Sequence, residues 1–416
     1  MSTPSNPGSY GITDNGDSVS VNGSTITVSG DDYGIVADNS TVTVNDSKIT
    51  VNSGEYCDGI CASDSTLNVN NSTISTNPSG CSLWGVEVGT STVNINNSKI
   101  TTSTDDGYGV YAYFGSTVTI KDSTIESTGE GESAAIQIGD TTNLKATDSV
   151  IKGTNGVVAY EMEEDTVIIL DSTVISTGTK EDGNAALAVS FEENTNPDQV
   201  TIIVDKLQVT NDAALVYAEK SGTDVTEAVA EQISYIMHSI ENATVEGTAE
   251  LQGYNVAKEG KTLTVTVANG YELENNSQYA HVDKNADGTY TITVNRGGDL
   301  YFTARVKYVP AAYTTTTVSV TTNAMKGNKN DATQPVMVVN MKASHFQKVM
   351  VDGTDLAEGS FVVGEKDNGL LTFQFSTGYI KSLAAGTYSL QFVTTENVTH
   401  TMKLVVAEVG TYTVSY

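Results

Sequence analysis

Residues able to do chemistry are few in this chain, and most stand in its first half. Three cysteines, Cys57, Cys61 and Cys81, fall within 25 residues of one another. A structural zinc site asks for four ligands, usually Cys or His, and no histidine precedes His238. Two accounts stay open: a Cys57–Cys81 disulfide with Cys61 as a free, outward-facing thiol, or three reduced, packed thiols. No metal and no cofactor are expected. Asp46, Asp122, Asp148 and Asp171 recur at one position that Gly23, Asn71 and Asn97 share. A position common to Gly, Asn and Asp is a turn requirement, so these carboxylates are not read as the pair, ~5 to 9 Å apart, that glycoside cleavage needs. Residues 1 to 220 contain neither Arg nor His, and no catalytic residue is assigned. The ligand-binding candidates are instead Trp84, Tyr108, Tyr111 and Tyr113, with Glu87 beside them, because aromatic faces stack on sugar rings. The competing account makes these rings surface packing.

These residues sit on a repeat. STVTVNDSKIT, STLNVNNSTIS, STVNINNSKIT and STVTIKDSTIE begin at Ser40, Ser65, Ser91 and Ser116. Weaker copies begin at Asp17, Thr142 and Asp165, and a last irregular one holds Val200 to Thr210. Each copy alternates with period two, Val42 and Val44 or Val93 and Ile95 against Thr41 and Thr43 or Thr92 and Asn94. That is a strand with one buried face. A second strand places Ile49, Ile74, Ile100 and Ile125 in register. A third opens on a small residue (Gly34, Gly59, Gly85, Gly109, Ala135, Gly156, Ala186, Ala214), with Ile35, Ile60, Val86, Val110, Ile136, Val157, Leu187 and Leu215 inward. Three short strands bury nothing alone but form a continuous column when stacked in parallel. The expected fold class is all-β: a right-handed parallel β-helix of about eight three-strand coils over residues 1–222. Asn22, Asn45, Asn70 and Asn96 mark its corner, where Asn tolerates left-handed backbone and its amide can bond to the next.

This pattern resembles the pectate-lyase-like superfamily of right-handed parallel β-helices. The resemblance implies the architecture and a polysaccharide setting. The arginine base or histidine-assisted aspartates of its enzymes have no counterpart in residues 1–220.

Val225, Val229, Ile233, Ile236, Met237 and Ile240 fall at helical spacing, which predicts a capping helix and connection over residues 223–247. Strands then predict a small β-sandwich-like domain over residues 248–309. Within it Asp283–Gly288 (DKNADG) copies the opening of a calcium loop but lacks the closing acid at Val294, and reads as a hairpin turn. Residues 310–416 form a further β domain. Tyr379, Ile380, Leu383, Gly386 and Leu390, with Lys326, Gly327 and Asn328, resemble the X2 module of carbohydrate-active and surface proteins. Ser360, Phe361 and Val362 stand where that family has Asp-Tyr-Thr. The resemblance implies an immunoglobulin-like sandwich.

The net charge is −30, which disfavours nucleic acid and anionic membrane. No apolar run approaches the ~20 residues of a membrane span. Met1–Gly8 has no basic or apolar segment, so an export signal is not expected in this sequence; the Ser/Thr/Asn-rich coils suggest an extracellular or cell-surface setting. The expectation is a monomeric, non-catalytic, adhesin-like bacterial surface protein whose partner is a polysaccharide or a host or cell-surface glycan. The alternatives are a polysaccharide lyase or hydrolase with an atypical carboxylate site, and an ice-binding solenoid carried by the outward Thr and Asn ranks, which Lys145 and Ile168 interrupt.

Overall fold

The structure is a computed structural model that describes residues 10–29, 33–52, 58–77, 84–181, 183–306, 317–318, 336–366, 369–384 and 386–406. The chain divides into two compact units, Met1–Arg305 and Val306–Tyr416.

The first unit is a parallel β-helix closed by a β cap. Each winding contributes three strands, as in Thr41–Asn45, Lys48–Asn52 and Ile60–Ser63. Each pairs in parallel with its counterpart one winding on: Val42 with Leu67, Ile49 with Ile74, Ile35 with Ile60. The third strands, from Tyr10–Asn15 to Ala214–Lys220, form one sheet, and the first and second strands form another. Period-two alternation turns the aliphatic residues inward, and Val42, Leu67, Val93, Ile49, Ile74 and Ile100 are fully buried.

Two features hold the windings in register. The glycine column lets backbones close up, since a Cβ on Gly59 would lie 2.5 Å from the Gly85 carbonyl oxygen and 2.4 Å from Ile74 Cγ2. At the corner a serine ladder is buried: the Ser47 N–H donates to Ser72 Oγ, and the Ser72 N–H to Ser98 Oγ, both at 3.0 Å. Each hydroxyl donates in turn to a carbonyl of its own winding, Ser72 Oγ to Asn70 O at 2.7 Å. Asp46, Asn71, Asn97, Asp122 and Asp148 occupy the left-handed region beside it, with φ between 44° and 50°. The turn requirement read from Gly, Asn and Asp is therefore met here. The left-handed residue is this one, and not the preceding Asn. Asn22, Asn45, Asn70 and Asn96 end the strand and form an amide ladder, the Nδ2 of Asn45, Asn70 and Asn96 each donating to the previous Oδ1 at 2.8 to 3.1 Å.

Register departs from expectation in the last windings. Leu144 pairs with Ile168 and Lys145 with Ile169, so the seventh repeat starts at Thr166, one residue late. Ile168 points inward, and Ile169 takes the outward place. Asp171 consequently pairs with Thr147 at the end of the strand, and the left-handed corner residue is lost. In the last winding Leu187 pairs with Val216, which makes Val216 the inward residue in place of Leu215.

The cap also differs. The helix expected over residues 223–247 is confined to Thr226–Ala230. Ser234–Ile236 is a strand instead, parallel to Thr201–Val209 and antiparallel to Tyr254–Lys258. Both its faces are covered, Tyr235 by the rod core and Ile236 by Ile169, Ile203 and Val256. A strand buried on both sides loses its alternation and imitates a helical face. Residues 248–306 have no core of their own: Leu263, Val265, Ile292, Leu300 and Phe302 continue the core of the rod. DKNADG forms the turn between the paired strands His281–Lys284 and Tyr290–Thr293, closed by Gly288 at φ 91°.

The second unit packs two sheets over Leu371, Phe373, Leu390, Phe392 and Leu404. Ile380 is buried in this core, Tyr379 stacks on Phe375 at 5.6 Å, and Ser376 caps the helix Thr377–Ser382. Lys326, Gly327 and Asn328 lie outside the described residues.

Candidate functional site

The outward face of the third-strand sheet has three columns. Parallel register stacks Cys61, Glu87, Tyr111 and Gln137 in one of them, and Ser63, Gly89 and Tyr113 in the next. Asp58, Trp84 and Tyr108 head their strands beside the glycine column. The candidates Trp84, Tyr108, Tyr111, Tyr113 and Glu87 therefore converge on neighbouring windings. Trp84 lies parallel to Tyr108 at 6.4 Å and tilted to Tyr111 at 5.1 Å; Tyr111 meets Tyr113 at 4.9 Å. These offset and tilted geometries are each worth about 0.5–1.5 kcal/mol beyond area burial.

Tyr113 crosses Gly89 to reach Glu87, and a Cβ on Gly89 would lie 2.9 Å from its ring. Its hydroxyl donates to Glu87 Oε1 at 2.9 Å. The Cys61 thiol donates to Glu87 Oε2 at 3.4 Å. Asp58 is almost wholly buried and accepts the backbone N–H of Trp84 at 3.2 Å. Burial first, then the charge of Glu87, pushes the Asp58 carboxyl well above the usual carboxylate range, and the two carboxyls share a hydrogen bond. Burial and then Glu87 also push the Tyr113 hydroxyl and the Cys61 thiol up. Tyr108 is pushed up to about 12, chiefly by burial. Glu87 is thus the acceptor around which the strip is organised.

One member was missed. Phe114 meets Tyr113 edge-on at 4.8 Å and is 62% exposed. Its backbone is left-handed, φ 53°, in a corner column otherwise filled by Asn39, Asp64, Thr90 and Asp140. A bulky residue there is strained. The signal was available, since Phe breaks a column of turn-formers. Cys61 is free among the described residues, while Cys57 and Cys81 lie outside them.

The outward Thr and Asn rank runs through Thr43, Asn68, Asn94 and Thr119 before Lys145, Ile169 and Ile203 replace it. Tyr254 and Leu251 pack over the last two.

A second polar cluster lies at the corner of the last windings. His238 Nε2 stands 2.7 Å from Asp205 Oδ1, and Tyr254 lies beside Asp171. One ligand atom from each of Asp171, Asp205 and His238 lies within 4.8 Å of the others, as is also true of Asp58, Cys61 and Glu87. The Asp205 hydrogen bond raises the His238 pKa, against the effect of burial. Sequence reasoning placed His238 within the capping helix and not among ligands, because the strand Ser234–Ile236 that precedes it was read as helix.

A family model described as the right handed beta helix region matches residues 79–203. No curated protein and no solved structure matches the chain.

Proposed function

We propose that the protein is a non-catalytic glycan-binding protein of the cell surface or extracellular space, and that it holds an uncharged polysaccharide against the Trp84–Phe114 strip. The observation that carries this reading is a contiguous run of five rings, Trp84, Tyr108, Tyr111, Tyr113 and Phe114, on one outward face. Rings with polar edges offer stacking faces to pyranose C–H surfaces while their hydroxyls stay compatible with water. Asp106 and Glu132 lie near Tyr108 and Asp140 near Tyr111. Their charge repels polyuronates and sulfated glycans, which favours neutral sugars. The resemblances to pectate-lyase-like rods and to the X2 module agree with a carbohydrate setting.

The hydrolase alternative draws on the Asp58–Glu87 pair beside the strip. That pair does not suit glycoside cleavage. Its carboxyls are in hydrogen-bond contact, closer than the ~5 to 9.5 Å of retaining and inverting pairs, and Asp58 has almost no exposed surface.

Trp84 is the sole tryptophan of the chain, so its fluorescence reports on the site directly. Neutral oligosaccharides are expected to change it saturably, without release of reducing ends, and polygalacturonate is not. Trp84→Ala, followed by glycan-array binding, and Tyr111→Ala, followed by fluorescence, should each weaken binding at least tenfold. Saturable binding that survives both substitutions, or an array with no glycan retained, would overturn the proposal. Reducing ends released by wild type and lost in Glu87→Gln would establish the enzyme instead.

A further inference from the structure

Asp171 and Asp205 occupy an unusual place. Asn96 pairs with Lys121, Lys121 with Thr147 and Thr147 with Asp171, so Asp171 belongs to the column that begins as an amide ladder. Asp205 directly follows Val204, the partner of Leu170, and is the next rung. An asparagine rung both donates and accepts, whereas an ionised carboxylate only accepts. Two successive carboxylates cannot continue the ladder, and their mutual repulsion calls for a positive group. The corner geometry gives no reason for aspartate at either position, since neither residue is left-handed.

A third donor of different chemistry is brought to them from the cap. The Met237 N–H donates to Asn255 O at 2.8 Å, which fixes the strand end that carries His238. The Asp299 N–H donates to the Asp205 carbonyl at 2.7 Å. Gly298 allows that approach: a Cβ there would lie 2.2 Å from the same oxygen. His238 Nε2 then faces Asp205 Oδ1, and Tyr254 lies beside Asp171. All three donor residues keep part of their surface exposed, so an ion has access.

We propose that Asp171, Asp205 and His238 form a binding site for one divalent cation of the zinc type. Two carboxylate oxygens and an imidazole nitrogen suit zinc and its transition-metal neighbours, with the fourth position left to water. Tyr254, beside Asp171, stands where a second group can orient a ligating carboxylate. With metal–ligand bonds of about 2.1 Å, tetrahedral donors stand about 3.4 Å apart. The His238–Asp205 contact would open by about 0.7 Å, which side-chain rotation provides. Asp148 and Asp299 add negative charge nearby. Lys206 is engaged by Asp299 at 3.3 Å, and Lys145 lies over the Tyr254 ring at 5.7 Å.

Titration calorimetry of the full chain with zinc chloride tests the site. One equivalent is expected to bind, and Asp171→Asn and His238→Gln should each weaken binding at least tenfold. Asp171→Asn restores an amide to the ladder, so it should fold at least as stably as wild type and separates metal loss from misfolding. A Cys57→Ser, Cys61→Ser, Cys81→Ser triple variant should keep full affinity. No binding by wild type, unchanged binding in the Asp171 or His238 variants, or loss of binding with the cysteines would each overturn the proposal.

Discussion

Asp58 shows how a single side chain can make stability depend on pH. Its folded-state pKa is raised, first by burial and then by Glu87. The folded protein therefore binds this proton more tightly than the unfolded chain does. The stability contributed is fully present below the ordinary carboxylate pKa, near the model-peptide value of ~3.9, and is lost as pH rises through the higher folded value. Asp58→Asn keeps the shape and a hydrogen-bond donor toward Glu87 without the ionisation. The melting temperature of wild type should fall between pH 5 and pH 8 by more than that of Asp58→Asn; equal slopes would show that the shared proton lies elsewhere. At this scale the sequence was informative about the aromatics and Glu87 and silent about Asp58. Tyr111 and Tyr113 could be placed outward because their strand has period two, and Trp84 and Tyr108 could be placed beside them because each precedes the small residue that opens its strand. Asp58 could not, because its partner lies 29 positions away in sequence and its burial depends on the neighbouring winding.

Among elements, the serine ladder carries a measurable load. Removing the Ser72 hydroxyl leaves the Ser47 N–H without its acceptor. A buried backbone donor left unpaired costs about 1–3 kcal/mol, so Ser72→Ala should lower the melting temperature of the first unit by several degrees. Ser24→Ala, whose hydroxyl is exposed and stands at the start of the ladder, should change it little. The windings were legible because Ile49, Ile74 and Ile100 repeat in identical surroundings, so each copy corroborates the next. Legibility failed where one residue dropped out of the corner before Ser172. Asp171 then looked like another turn-former, when it had moved into the strand column. The cap was misread for a different reason: Ser234–Ile236 has neighbours on both faces, so its apolar run carries no period of its own. The Asp171–Asp205–His238 cluster depends on both of these features, and neither leaves a local signature.

For the whole molecule, the cap belongs to the rod in a way that domain boundaries drawn from composition conceal. Ile202, Val204 and Leu207 share one core with Tyr235, Met237, Leu263 and Leu300, while the residues of the second unit form a separate core. A fragment ending at Val306 should melt cooperatively, as followed by circular dichroism. One ending at Gly222 should aggregate or fail to fold. It uncovers several large side chains, each worth about 1.5–3 kcal/mol when buried, against a total stability of about 5–15 kcal/mol. A stable, monomeric fragment ending at Gly222 would refute this view of the cap. The repeating register has a further consequence. Ser116 is bonded to Ser91 just as Thr142 precedes a strand paired with that of Ser116, so excising residues 117–142 joins two equivalent points of the spiral. Such a deletion would draw the ring-bearing windings one step of about 4.8 Å toward the histidine-bearing end, and would exchange Glu132, Gln137 and Asp140 beside the rings for residues of the following winding. The rod would then serve as a gauge, whose length can be changed by whole turns.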